Sequence, residues 1–345
     1  MRIGFITLGK NVPSTRFRFL PYIDLLKDRG HQCVNWMSRP SVYEHYPWLG
    51  WRISHMLKRT VRQRQLSESR NWQPDCIYLE RGVLNDDSLD LDQAFRKTTP
   101  RLVLDIDDGI FLEQPDKIDR LIEMSDHCIV SNEPIAEYVR SRHDKVTLIP
   151  TVVELARFKS KPVPAAAKEF PVIGWIGTTP TMEFLSVCAE PLRELAKLVD
   201  FELLVVGPTQ EPLQRINLDG VRLRFERWKA TEEVHRLHEM DVGIMPLPEG
   251  KEWMKYKAAT KLVQYLSVGI PAVATPIGVN AHILEGNKVG FAASNATEWL
   301  DAFKTLLADH DLRSRLGSAG RQLVEERYSI EANIDVLENV LTGGT

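Results

Sequence analysis

Two lysines four residues apart, Lys257 and Lys261, precede an amide three residues further on, Gln264, in the stretch WMKYKAATKLVQYLSVGIPAVATPIGVN (253–280). This spacing predicts a helix with all three side chains on one face near its start. A helix start offers free N–H groups and the positive end of a dipole, so two lysines there suit a diphosphate. The same pair also fits two solvated lysines on a surface helix. A second group is Thr15, Arg16 and Arg18 in PSTRFR (13–18). Arginine makes forked contacts with phosphate oxygens, whereas Ser14 or Thr15 could simply cap a helix. A third is Asp105, Asp107 and Asp108 in LDIDDGIF (104–111). Such carboxylates bind Mg²⁺ or Mn²⁺, accept a hydrogen bond from a hydroxyl or act as a base, or cap a turn. A fourth is Gly177 followed by Thr178 and Thr179. There the backbone can approach a phosphate closely, or the glycine serves only a tight turn.

The elements that must position these residues form two βα series. In the first, compact apolar runs at 2–8, 32–37, 75–79, 101–106, 127–131 and 145–149 read as strands, with helices at 17–29, 116–124 and 134–141 between them. This is the opening of a doubly wound parallel sheet. Ligands bind outside the carboxyl ends of such strands, which puts the loop 9–18 at the site. The segment 51–70 interrupts the rhythm with Arg52, Lys58, Arg59, Arg62, Arg64 and Arg70 against Glu68, interleaved with Trp51, Ile53, Met56, Leu57 and Val61. It reads either as a basic amphipathic helix resting on anionic lipid or as a solvated helix packed by its apolar stripe. KSKPVPAAAKEFP (159–171) is the linker candidate. Strands then follow at 172–177, 201–207, 221–225, 241–246, 271–275 and 288–291, with helices at 181–200, 231–239, 297–309, 311–326 and 329–341.

The chain has 345 residues, 43% hydrophobic and 26% charged, with formal net charge −3. That composition is globular, the length suggests about two domains, and the charge gives no case for nucleic acid. Cys33, Cys76, Cys128 and Cys188 are scattered, so neither a zinc site nor a disulfide framework is signalled. No run approaches the about 18 apolar residues of a membrane span. A soluble, cytoplasmic protein is expected, with a peripheral contact to anionic membrane through 51–70 left open.

Taken in order, PSTRFR, LDIDDGIF, IGWIGTTPTMEFL (173–185), DVGIMPLPEGKEW (241–253), the 253–280 stretch and LRSRLGSAGRQLVEERYS (312–329) resemble the GT-B glycosyltransferases of the retaining family 4 group. The resemblance implies an α/β fold of two Rossmann-like parallel-sheet domains facing a central cleft. It places an acceptor-side domain at 1–158, a linker at 159–170, a nucleotide-sugar-binding domain at 171–327 and a C-terminal helix at 328–345 crossing back to the first domain. The family's paired glutamates are absent; their positions hold Tyr256 and Gln264. A subgroup pattern W-x-x-x-K-x-x-x-K-L-x-Q-Y is met instead by Trp253, Lys257, Lys261, Leu262, Gln264 and Tyr265.

By this resemblance the chain transfers a sugar, with retention, from a nucleoside-diphosphate sugar to a glycan or lipid-linked acceptor, with no cofactor and no required metal. Gly177, Thr178, Thr179, Lys257, Lys261 and Gln264 would hold the donor, with Trp228, Met245 and Pro246 as candidates for its nucleobase pocket, Trp228 equally a candidate for the core. Thr15, Arg16, Arg18 and Asp107 would face the acceptor. Lys257, Lys261, Arg16, Asp107 and Asp108 would carry catalysis. A GT-B sugar-nucleotide epimerase and a non-catalytic glycan- or nucleotide-binding partner are the rival readings.

Overall fold

The computed structural model describes residues 1–44, 46, 48–162 and 169–344. The linker expected at 159–170 therefore lies partly, at 163–168, outside the described residues. The chain forms two compact units: Met1–Val152 with Tyr256–Ala258 and Ile330–Thr345, and Val153–Lys255 with Ala259–Ser329.

In the first unit the strands are β1 (Arg2–Thr7), β2 (Gln32–Met37), β3 (Cys76–Glu80), β4 (Arg101–Ile106), β5 (His127–Val130) and β6 (Val146–Leu148). They pair in parallel in the order β2-β1-β3-β4-β5-β6. The runs IGFIT, CIYLE and LVLDI are buried on both faces, as expected of strands covered by crossover helices on each side. Those helices are α1 (Leu20–Asp28), α2 (Gly50–Trp72), α3 (Asp90–Arg96), α4 (Pro115–Met124) and α5 (Glu133–Arg140). A five-residue π turn, Thr15–Phe19, leads into α1. The sheet order reverses between β1 and β3, so the loops after these two strands flank the switch point where open α/β sheets take ligands.

The second helix departs from expectation. One of its two readings had an apolar stripe packing inward, but the buried seam is Ser54, Lys58, Arg62, Leu66 and Ser69. Arg62 is fully buried and donates to the carbonyls of Thr7, Trp36 and Val83 at 2.8, 2.6 and 2.9 Å. Lys58 donates to the Val42 carbonyl at 2.6 Å. The ends of β1 and β2 and the loop after β3 present these carbonyls to the helix. A guanidinium with five donors satisfies several at once. That demand, and not hydrophobic periodicity, sets how the helix is rotated.

In the second unit β7 (Val172–Ile176), β8 (Glu202–Gly207), β9 (Arg222–Arg227), β10 (Val242–Met245), β11 (Ala272–Ala274) and β12 (Gly290–Ala292) form a second parallel sheet, in the order β12-β11-β10-β7-β8-β9. Its helices are α6 (Thr179–Met182), α7 (Ala189–Ala196), α8 (Glu233–Glu239), α9 (Thr260–Ser267), α10 (Val279–Ile283), α11 (Ala296–Ala308) and α12 (His310–Arg327). Here the order reverses between β7 and β10. The last helix, α13 (Ile330–Thr342), belongs to the first unit. Its Ile330, Ile334, Leu337 and Leu341, spaced for one helical face, pack with Phe5, Tyr22 and Leu26. Glu338 fixes it further, meeting Arg29 at 2.5 Å and His31 at 2.8 Å.

Candidate active site

The 253–280 stretch does not fold as one helix. A 3₁₀ turn covers Glu252–Tyr256, and α9 begins only at Thr260. Between them Ala259 takes a left-handed conformation, φ 53°, which an α-helix cannot continue through. The expectation that Lys257, Lys261 and Gln264 share one helical face is thereby corrected. Lys257 belongs to the first unit and Lys261 and Gln264 to the second.

In the second unit the carboxyl ends of β7 and β10 converge on α9. Tyr265 ties all three together: its hydroxyl accepts from the Ile176 N–H at 3.1 Å and donates to the Ile244 carbonyl at 3.0 Å. One turn earlier, the Lys261 side chain lies against Gly177. A Cβ at Gly177 would sit 2.6 Å from Lys261 Cε and 2.6 Å from the Trp175 ring. The Lys261 ammonium is 5.5 Å from the Trp175 ring centroid, within cation–π range. So the helix start, the lysine and the glycine-ended strand meet, as a phosphate seat requires. Thr178 and Thr179 follow at the mouth of this junction, both half-buried. Met245 and Pro246 end β10 and are buried.

Gln264 is buried on the inner side of α9 and donates to Glu233 Oε1 at 3.2 Å. Glu233, 2% exposed, also accepts from Trp228 Nε1 at 3.1 Å and from Arg157 at 2.7 Å. One carboxylate of α8 thus fixes two of the expected donor residues, Trp228 and Gln264. No sequence signal pointed to Glu233 or Arg157, because their partners come from separate segments.

In the first unit, the loop after β1 is held from beneath by Glu80, the last residue of β3. Its carboxylate accepts from the Leu8 N–H at 2.8 Å, Ser14 Oγ at 2.5 Å and Thr15 Oγ1 at 2.6 Å. Burial pushes Glu80 up to about 7, against the pull of these hydrogen bonds. Thr15 is accordingly turned inward and buried, and Arg16 is nearly buried, 5.0 Å from the Phe17 ring centroid. Arg18 is 2% exposed and forms a forked pair with Asp105, 2.8 Å on each arm, while donating to the Ile149 carbonyl. Burial opposes its charge, but Asp105 overrides this and raises its pKa. The geometry makes Arg18 a structural anchor of the first sheet.

The other two aspartates also have cations. Asp107 takes Arg81 at 2.6 Å and Asp108 takes Lys257 at 3.0 Å. Burial alone would raise Asp107, but the Arg81 guanidinium holds it below the usual carboxylate range. It is suited to accept a hydrogen bond and poorly suited to take a proton at neutral pH. Arg81 follows β3 directly, has φ 58°, and also donates to the Tyr43 hydroxyl at 2.8 Å. A non-glycine residue in this region is held by its surroundings, a feature that clusters at functional sites. With Leu8, Tyr43, Gln114 and Lys117 it lines a small hollow at the sheet edge. Arg81 went unnoticed in sequence, although its place just past a strand end was a usable signal. Among the described residues no three of His, Cys, Asp and Glu converge as metal ligands.

Residues 170–309 match the family described as glycosyl transferases group 1. No curated protein matches the chain in sequence. Among solved structures, it is similar to sucrose-phosphate synthase from Thermosynechococcus elongatus, at 14% identity over 99% of this chain and 98% of that one, TM-score 0.73. A glycosyltransferase from Rickettsia africae is 13% identical over 99% and 97%, TM-score 0.72. HepE from Anabaena, solved with UDP and glucose, is 14% identical over 99% of each chain, TM-score 0.66. The fold is the two-domain GT-B arrangement of Rossmann-like sheets.

Proposed function

We infer that this chain, a GT-B protein carrying a glycosyl transferases group 1 domain, moves a sugar from a nucleoside-diphosphate sugar to a glycan or lipid-linked saccharide, with retention and without a required metal. It would do so in the cytoplasm. The observation that carries the reading is the junction of Lys261, Gly177 and the start of α9 at the switch point of the second sheet. In such a transfer the difficult event is departure of a nucleoside diphosphate as positive character develops on the sugar. Lys261 and the N–H groups at the start of α9 oppose the negative charge growing on that leaving group, and aimed charge of this kind is commonly the largest catalytic contribution. Thr178 and Thr179 add hydroxyl donors, and Gln264 and Trp228 hold the nucleoside end. UDP and UDP-glucose are the first ligands to test, and UDP-glucose the first donor, since HepE was solved with them.

On the acceptor side, Arg81, Asp107, Asp108 and Lys257 form two neighbouring ion pairs. They offer both donors and acceptors to sugar hydroxyls. Thr15 and Arg16 shape the loop beside them. That each of Asp105, Asp107 and Asp108 is neutralised by its own cation supports a metal-free reading of this sequence.

The test is calorimetric titration of the full chain with UDP, GDP and TDP and their sugars, followed by a transfer assay on the sugar nucleotide that binds. Binding of one nucleotide in EDTA, lost in Lys261→Ala, is expected; no binding of any of them would overturn the reading. Tyr256 and Gln264 in place of the family's acids favour a second reading, a non-catalytic nucleotide or glycan binder. Tight nucleotide binding with neither hydrolysis nor transfer to any acceptor would select it.

A further inference from the structure

Because Lys58 and Arg62 turn inward, the first two turns of α2 leave their large apolar side chains outside. Trp51 is 68% exposed and Met56 59%, with Ile53 and Leu57 beside them; Trp48, in the turn just before the helix, is 78% exposed. Arg52 projects among them and makes no ion pair among the described residues. The patch is ordered: the Trp51 ring stacks on His55 at 5.2 Å, and His55 is bound to Asp86 at 2.6 Å. Along the rest of the outward face Arg59 pairs with Asp90 and Arg64 with Glu68, and Arg70 is exposed near the helix end.

We propose that this face, Trp48, Trp51, Arg52, Ile53, Met56 and Leu57, docks the protein onto an anionic lipid bilayer, with the indoles at the headgroup level and Arg52 against lipid phosphate. Two observations favour lipid over a second copy of the chain. Tryptophan beside aliphatic side chains is the composition of a membrane–water interface. An unpaired arginine inside the apolar patch would lose its water in a protein–protein contact without gaining a counter-charge, whereas anionic headgroups supply one. The cations at Lys58 and Arg62 do not contribute, since they are buried, so attachment depends on shallow apolar insertion as much as on charge. None of these residues belongs to the donor or acceptor sites, so this inference and the proposed activity stand or fall separately.

The experiment is co-sedimentation of the full chain with vesicles of equimolar phosphatidylglycerol and phosphatidylcholine, beside vesicles of phosphatidylcholine alone. Binding to the first, with a blue shift in tryptophan emission, is expected. Combined Trp48→Ser, Trp51→Ser and Met56→Ser should weaken it at least ~10-fold with no loss of thermal stability, since the side chains are exposed. Arg52→Glu should weaken it by roughly tenfold as well. Absence of binding at low salt, equal binding by the triple variant, or equal recovery with both vesicle types would overturn the proposal. A dimer in solution that the triple variant abolishes would assign the face to a second copy instead.

Discussion

Gln264 of α9 donates its side-chain amide to Glu233 of α8 at 3.2 Å, which makes a buried carboxylate from a neighbouring helix the support of the position where the resembling family carries a glutamate. The acid is not lost from this corner of the unit; it arrives from another element. Trp228 and Arg157 donate to the same carboxylate.

Removing that acid takes a shared acceptor from the Gln264 amide, the Trp228 indole and the Arg157 guanidinium. Glu233→Ala should lower unfolding free energy by about 2–4 kcal/mol, the range for leaving buried hydrogen-bonding and charged partners unmet. Glu233→Gln keeps the shape but turns an NH₂ toward a donor, so it should cost less while still weakening nucleotide binding. Urea unfolding and calorimetric titration check both. A Gln variant equal to wild type in both measurements would remove Glu233 from the donor site.

Lys261 and Gly177 should fail together. Lys261→Ala is expected to lower transfer at least ~100-fold, as for other donors aimed at developing negative charge, with little change in stability. Gly177→Ala places a methyl 2.6 Å from both the lysine stem and the Trp175 ring. The lysine can swing away, but the fully buried indole cannot, so about 1–3 kcal/mol of stability should go as well. Steady-state rates with the preferred donor and thermal unfolding separate the two. Near wild-type transfer in Lys261→Ala would end its assignment.

Arg18 makes the opposite case. Its forked pair with Asp105 is sealed from solvent, and breaking such a pair from one side costs roughly 3–5 kcal/mol. Arg18→Ala should therefore unfold at clearly lower denaturant, whatever acceptor is used. A stable Arg18→Ala protein with a raised acceptor KM would return Arg18 to the acceptor site, where its sequence had put it.

The strands were the most legible part of the sequence. All twelve were expected where short apolar runs occur, and β2 and β4 keep the same bounds; in β4 burial on both faces leaves only one kind of residue usable. The break before α9 was not legible. Nothing in KAAT announces a left-handed Ala259, and neither glycine nor proline marks it. The rotation of α2 was hidden for a related reason. Its buried Arg62 answers carbonyls at the ends of β1 and β2, which periodicity within the helix cannot register. The ion pairs of Arg81 and Glu233 close onto residues distant in sequence, and only Arg81, just past a strand end, had a position that could have marked it.

Glu80 gives a prediction in pH. Its ordinary carboxyl value of 4.5 rises to about 7 in the fold, with burial the leading cause. The folded protein therefore holds this proton more tightly than the unfolded chain does. Between these two values the native state is protonated here and the unfolded state is not, so stability falls as pH rises. The contribution is fully present below 4.5 and lost by about 7, a span of roughly 3 kcal/mol. Glu80→Gln removes the titrating group while keeping an oxygen for Ser14 or Thr15. Unfolding free energies of the two proteins, measured in parallel from pH 5 to 7.5, should converge or cross, with wild type losing stability relative to the variant. Parallel curves would mean that Glu80 stays ionised throughout, held by the Leu8, Ser14 and Thr15 donors. The loop after β1 would then carry a permanent buried charge and no proton-dependent anchor.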